Sequence, residues 1–255
     1  MTEARRVLLV AGGARGIGAA VCRLAARRGY DVAVNYRSRH ERARQVVADA
    51  EQAGARAVAL PGDVRDPAAV AEVFARCEAE LGAPDALVYC AGVTGPGSRL
   101  ADADPQVMQE TLDVNVMGAL LCCQQAARSM SRDRGGGAGR GGSVVLVSSG
   151  AATLGSPGEF VWYAASKGAI DTLTLGLSRE LAGDGVRVNA VSPGLTDTEL
   201  HAESTGEPGR VARMAPSIPM GRAASAEEIA EPILWLLSDA ASYVTGAIVR
   251  AAGGR

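Results

Sequence analysis

The sequence predicts a single-domain α/β fold built on a parallel sheet. Short, continuous apolar runs such as Val7-Leu8-Leu9-Val10 recur along the chain, as strands buried on both faces do. Stretches with helical spacing alternate with them over short links, which implies parallel strands joined by right-handed crossovers. A chain of 255 residues can bury one large core, and α/β chains of this length often remain one domain, here residues 1–255.

Residues 7–10 form the first strand. Glycines follow at 12, 13, 16 and 18, and then a helical pattern of Ile17, Val21, Leu24 and Ala25 ends near Gly29. Strand, glycine turn and helix in that order point to nucleotide binding. Small residues let the backbone approach a pyrophosphate, and the helix N-terminus offers N–H groups and partial positive charge. The second strand, Val32-Ala33-Val34, runs into Asn35-Tyr36-Arg37-Ser38-Arg39. In a dinucleotide fold an acid here bonds the ribose 2′-hydroxyl, whereas arginine accepts a 2′-phosphate. No acid stands at this strand end; Arg37 and Arg39 do, and Arg15 lies in the glycine loop. NADP(H) is therefore favoured, with NAD(H) as the alternative; the plain reading of these arginines is a solvated surface.

Residues 40–53 read as a helix and 57–60 as a third strand, followed by Gly62-Asp63-Val64. Asp63 can meet an adenine amino group or cap the helix that begins near Asp66-Pro67 and runs over 67–81. Residues 86–89 are a fourth strand, then come Cys90-Ala91-Gly92. A long helix is predicted over 105–130, with the polar Asn115 inside an apolar stretch; buried, it must be hydrogen-bonded to backbone or water, a structural role. Residues 131–142 read as a mobile surface loop. The fifth strand, 144–147, ends in Ser148-Ser149, at the strand edge where ligands of parallel sheets bind. A loop over 153–162 precedes a helix from Tyr163 to Leu181. The sixth strand, 186–191, leads to Ser192-Pro193-Gly194, and residues 195–220 read as a lid over the crevice. A helix over 226–237 and a final strand over 246–249 close the chain.

Tyr163 and Lys167 stand four apart, on one helix face. A phenol ordinarily titrates near about 10, and a neighbouring ammonium favours its ionised form, so such a tyrosine can exchange a proton with a carbonyl or alcohol oxygen. Lys167 is the only lysine in a chain that otherwise uses arginine. A surface lysine beside a packed tyrosine is the competing reading.

The net charge of −2 gives no general attraction to nucleic acid, and no apolar run reaches membrane-spanning length. The five cysteines form no C-x-x-C pair and read as core residues of a reducing, cytoplasmic compartment, with no metal site.

Taken together, Gly12-Gly13-Ala14-Arg15-Gly16-Ile17-Gly18, Asp63-Val64, Ala91-Gly92, Asn115, Ser148-Ser149, Tyr163-x-x-x-Lys167, Val188-Asn189-Ala190 and Pro193-Gly194 resemble the short-chain dehydrogenase/reductase family over essentially the whole chain. The resemblance implies a Rossmann-type, doubly wound, seven-stranded parallel sheet with helices on both faces. It implies Tyr163 as general acid and base, and Lys167 as the residue that holds the nicotinamide ribose and lowers the Tyr163 pKa. Ser149 would bond the reacting oxygen, and Asn115 would hold a relay water. Gly12, Ala14, Arg15, Gly16, Ile17 and Gly18 would cradle the pyrophosphate, and Tyr36, Arg37, Asp63, Val64, Ala91 and Gly92 would line the adenosine side. Pro193, Gly194, Thr196 and Thr198 would meet the carboxamide. The activity implied is NADP(H)-dependent hydride transfer on a small carbonyl or alcohol substrate. A 3-oxoacyl thioester or related ketone leads, a glucose-like sugar is the alternative, and a non-catalytic NADP-binding regulator is the alternative of another class.

Three departures stand out. Ala11 replaces a usual threonine. Tyr89-Cys90 replaces an Asn-Asn pair, which would remove a brace on the central strand and crowd the cofactor floor. Ser149 lies fourteen residues before Tyr163 where thirteen is usual, which places one extra residue around 159–162. A carrier-protein partner would want a basic patch, which Arg99, Arg210 and Arg213 could supply. Family members are often homotetramers paired through the helices at 105–130 and 163–181, for which Cys122-Cys123 and Ala126-Ala127 offer a small-residue face.

Overall fold

The computed structural model describes residues 5–132, 140–199, 206–207 and 209–255. Strands and helices alternate: β1 (Arg6–Ala11), α1 (Gly16–Arg27), β2 (Tyr30–Tyr36), α2 (His40–Gln52), β3 (Ala57–Pro61), α3 (Pro67–Glu80) and β4 (Ala86–Tyr89). Then come α4 (Pro105–Leu112), a π-helical turn (Asp113–Met117), α5 (Gly118–Met130), β5 (Gly142–Val147), α6 (Ala151–Leu154), α7 (Val161–Glu180) and β6 (Val186–Pro193). The chain ends with α8 (Arg210–Met214), α9 (Ala226–Leu237) and β7 (Ile248–Ala251).

The strands form one seven-stranded parallel sheet in the order β3-β2-β1-β4-β5-β6-β7. Alternate residues of the central strands feed two cores. Leu8, Val10 and Val34 pack with α1, α2 and α9 on one face; Leu9, Leu87 and Leu146 pack with α3, α5 and α7 on the other. This two-sided burial is why the strands read as unbroken apolar runs. Consecutive crossovers leave β1 toward β2 and β4 toward β5, in opposite directions, so the loops after β1 and β4 part and open a crevice.

Several boundaries differ from the sequence expectation. The predicted 105–130 helix is interrupted by the π turn that holds Asn115. The catalytic-side helix starts at Val161, two residues before Tyr163, and α6 forms ahead of it where the chain leaves Ser149. The strand expected at 144 already begins at Gly142. The last strand starts at Ile248, after Gly246 turns the chain at φ +75°, where a Cβ would lie 2.8 Å from the Ser178 hydroxyl. The loop expected over 131–142 and the lid expected over 195–220 fall partly outside the described residues, at 133–139, 200–205 and 208.

Candidate active site

The carboxyl ends of β1, β2, β4, β5 and β6 open into one cleft of about 830 Å³. At its floor, Gly12 turns the chain at φ +79°, and a Cβ there would lie 2.7 Å from the Ala91 backbone. A Cβ on Gly18 would lie 2.2 Å from the Gly12 carbonyl. Only glycine lets α1 begin this close to the turn, and the result is a backbone cradle at a helix N-terminus. The turn is braced from the next strand: the amides of Gly12 and Gly13 donate to the Asn35 carbonyl at 3.1 and 2.9 Å, a support independent of the side chain at position 11. This cradle fits a dinucleotide pyrophosphate.

On the side that the resemblance assigns to adenosine, the cleft is lined by Tyr36, Arg37, Asp63 and Val64, together with Arg15 and Arg39. Arg37 lies 3.5 Å from Glu110, at the surface. Asp63 does not cap α3. Its carboxylate is held by Arg65, which keeps it below the usual carboxylate range, and Asp66 caps the helix by accepting from the Ala68 amide at 2.9 Å.

On the opposite wall stand Ser149, Tyr163 and Lys167. Ser149 neighbours the Tyr163 phenol, on whose pKa it acts, and its Oγ accepts from the Ala151 amide at 3.1 Å. Ser148 turns the other way, its Oγ donating to the Lys167 carbonyl at 3.4 Å. Lys167 is buried; its ammonium donates to the Val147 carbonyl at 2.7 Å and lies 5.7 Å from the centre of the Tyr163 ring. Burial pulls the Lys167 pKa down to about 8. Burial pushes the Tyr163 phenol up, opposed by the Ser149 hydrogen bond. The lowering of the tyrosine by Lys167 that the resemblance implies does not dominate here: desolvation is the largest influence on the phenol, although the Tyr163 side chain remains half-buried at the edge of the cleft.

Gly92, Ala91, Pro193, Gly194, Thr196 and Thr198 line the same cleft, together with Gly12, Ala14, Gly16 and Ile17. Asn115 and Gly18 stand behind it. Asn115 Oδ1 accepts from the Val93 amide and its Nδ2 donates to the Val93 carbonyl and Ser166 Oγ, all at 2.9 Å. Its side chain is thereby occupied with protein partners, tying the π turn to the strand end after β4.

Tyr89 does not crowd the floor. It points into the core away from the cleft, and its hydroxyl donates to the Val114 carbonyl in the π turn, supplying a brace of its own; Cys90 takes the place facing the cleft. Glu159, Phe160 and Met214, in the segments 150–162 and 195–220, also line the cleft. Arg210, offered to a surface patch, is buried and paired with Glu159, and Arg213 is paired with Glu207. Partners 51 positions apart leave no local sequence signal.

A family model described as enoyl-(acyl carrier protein) reductase matches residues 12–255. The chain is 47% identical to the "Uncharacterized oxidoreductase YgfF" of Escherichia coli (strain K12), over 98% of this chain and 99% of that one. It is 40% identical to cis-4-hydroxycyclohexanecarboxylate dehydrogenase of Sinomonas cyclohexanicum, over 98% and 96%. A crystal structure of a short chain dehydrogenase from Burkholderia cenocepacia J2315 in complex with NADP superposes with a TM-score of 0.88 at 32% identity, covering 99% of this chain and 98% of that one. With the order of its strands, the glycine cradle at the switch point and the cleft beside it, the chain is an oxidoreductase and belongs to the short-chain dehydrogenase/reductase family.

Proposed function

We propose that the protein is an NADP(H)-dependent oxidoreductase that interconverts a small carbonyl compound and its alcohol, with Tyr163 as general acid and base. The observation that carries this reading is the convergence of Ser149, Tyr163 and Lys167 on one wall of a cleft whose floor is a glycine cradle. When bound, the nicotinamide supplies or accepts the hydride, and the chain's own residues manage the proton. Tyr163, kept as the neutral phenol by burial, gives its proton to the carbonyl oxygen in reduction and takes it back in oxidation. Ser149 donates to the same oxygen and steadies the charge that develops there. Lys167, anchored on the Val147 carbonyl, presents its ammonium to the phenolate that remains. Asn115 acts on the relay through the π turn rather than through a vacant side-chain atom. Gly12 and Gly16 would hold the pyrophosphate, with Gly18 behind them letting α1 start close to the turn; Thr196 and Thr198 would hold the carboxamide, and Arg37 with its neighbours the 2′-phosphate.

The substrate reading shifts from the sequence expectation. Arg210 and Arg213 are taken up by Glu159 and Glu207, so two of the three arginines offered to a carrier protein are already paired. Among the relatives, the cis-4-hydroxycyclohexanecarboxylate dehydrogenase at 40% identity favours a compact alcohol or ketone, while a 3-oxoacyl-[acyl-carrier-protein] reductase of Staphylococcus aureus at 32% keeps the thioester as the alternative. The test is turnover of NADPH or NADP+ across cyclic and linear ketones and alcohols, acyl thioesters and sugars, with Tyr163→Phe beside the wild type. Turnover confined to compact ketones or alcohols, lost in Tyr163→Phe while NADPH still binds, is expected. Turnover only with carrier-bound thioesters or with sugars would transfer the assignment to that class, and equal turnover in the variant would remove Tyr163 from the mechanism.

A further inference from the structure

The substrate end of the cleft is closed by a helix that cannot hold itself there. Helix α8 has five residues, too few to be stable on its own hydrogen bonds. Its first residue, Arg210, is only 7% exposed, yet it carries a full charge. Burying a guanidinium is unfavourable unless its charge and donors are met. Both terminal nitrogens meet the Glu159 carboxylate, Nη1 to Oε1 at 2.8 Å and Nη2 to Oε2, a two-pronged pair that meets the charge, while the buried Nε has no partner among the described residues. The guanidinium carbon also lies 5.8 Å from the centre of the Phe160 ring.

Glu159 and Phe160 are the last residues before α7, whose first turn contains Tyr163. They are themselves fixed. The Ser98 amide donates to the Glu159 carbonyl at 2.9 Å, and a Cβ at Gly97 would lie 3.1 Å from the Phe160 ring. Trp162, edge-on to Phe160, donates its indole N–H to the Thr94 carbonyl at 2.7 Å. The segment 94–98 thus holds 159–162 by backbone and indole hydrogen bonds, 159–162 holds 210–214 through one ion pair and the Phe160 ring, and Glu159, Phe160, Arg210 and Met214 face the cleft.

We propose that Glu159 and Arg210 form a latch that seats α8 on the entry to the catalytic helix and so fixes the wall against which the substrate is positioned. Arg210 is a positioning residue that acts through Glu159 and Phe160; it is not a proton donor. The latch rests on the functional reading above only for what the cleft binds. Arginine beside it holds the Glu159 carboxyl below its usual range, so the pair stays charged at neutral pH. The sequence expectation of a lid thereby gains a specific fastening, and the fastening lies on the substrate side, away from the glycine cradle.

Four proteins test it: the wild type, Glu159→Gln, Arg210→Met and the double variant. Glu159→Gln is nearly isosteric at a half-exposed side chain and is the variant expected to fold without loss; Arg210→Lys replaces Arg210→Met if the latter does not fold. Three readouts are taken: hydrogen exchange of the amides at 210–214, kcat and KM, and NADPH affinity. Losing one partner of the pair is expected to speed that exchange about tenfold and raise KM about tenfold, with kcat changed less than about threefold and NADPH affinity less than about twofold. The double variant is expected to be no worse than the worse single, because both remove one interaction. Unchanged exchange at 210–214 in both singles, or single effects that multiply in the double, would overturn the latch. Exchange needs no substrate, so a wild type without turnover would sink the functional reading and leave this test standing.

Discussion

Lys167 carries its charge where burial disfavours it, and that has a measurable sign. Its pKa is about 8 in the folded chain, below the ordinary lysine value, so between these values the unfolded chain binds more protons and stability rises with pH. The buried thiols act oppositely: burial raises Cys77 to about 12 and Cys90 to about 11, which costs stability above their ordinary values. The lysine's part is therefore read as a difference. Melting temperature minus that of Lys167→Met is expected to increase between pH 8 and 10, and a flat difference would mean that Lys167 titrates normally. At the adenosine rim, Arg37→Asp is expected to erode a preference for NADPH over NADH by about tenfold or more, as loss of a charge-assisted contact does. Ratios of kcat/KM for the two cofactors check this; an unchanged ratio would move the phosphate to other groups.

The π turn is the element whose position depends most on unusual residues. Tyr89 reaches from β4 to the Val114 carbonyl, and Gly118 leaves room for the phenol: a Cβ there would lie 2.5 Å from the Tyr89 oxygen and 2.9 Å from Val64. Tyr89→Phe leaves a buried carbonyl without its donor and is expected to cost about 1–3 kcal/mol. Gly118→Ala overpacks the same spot and is expected to cost about 1–3 kcal/mol. Urea denaturation measures both. The double variant should lose less than the sum, since the removed hydroxyl vacates the space the methyl needs; strict additivity would show that the two residues do not share it. Sequence alone marked Tyr89 as a departure from the family but not its compensation, because its partner is a backbone carbonyl 25 positions away.

Across the whole molecule, the helix faces expected to pair subunits separate into two sets. Cys122, Cys123 and Ala126 are buried against the sheet as ordinary core, so they offer no face to a partner. Leu112, Met117 and Leu120 are exposed on the neighbouring face, as is Leu175 on α7. A homotetramer paired through α4, α5 and α7 would cover them. Sedimentation is expected to give a tetramer mass for the wild type and a smaller species for Leu120→Glu; a monomeric wild type would end the proposal. Among the described residues, no helix is long and apolar enough to cross a membrane.

The parallel sheet was legible because strands buried on both faces must be written as apolar runs, and the glycine cradle because close backbone approach admits no Cβ. Tyr163 and Lys167 were legible because four residues is one helical turn, a spacing fixed by local geometry. The local conformation of Asn115 was not: a π turn differs from an α turn by one hydrogen-bond register, and what holds it here is contact with Val93 and Ser166. Nor was the meeting of Glu159 with Arg210, since each looks like a solvated charge in its own segment. The direction of the Tyr163 pKa also waited on the fold, because desolvation depends on what encloses a group. Sequence determined the elements whose causes lie within a turn or a strand; tertiary structure decided everything that rests on burial and on partners brought together from distant parts of the chain.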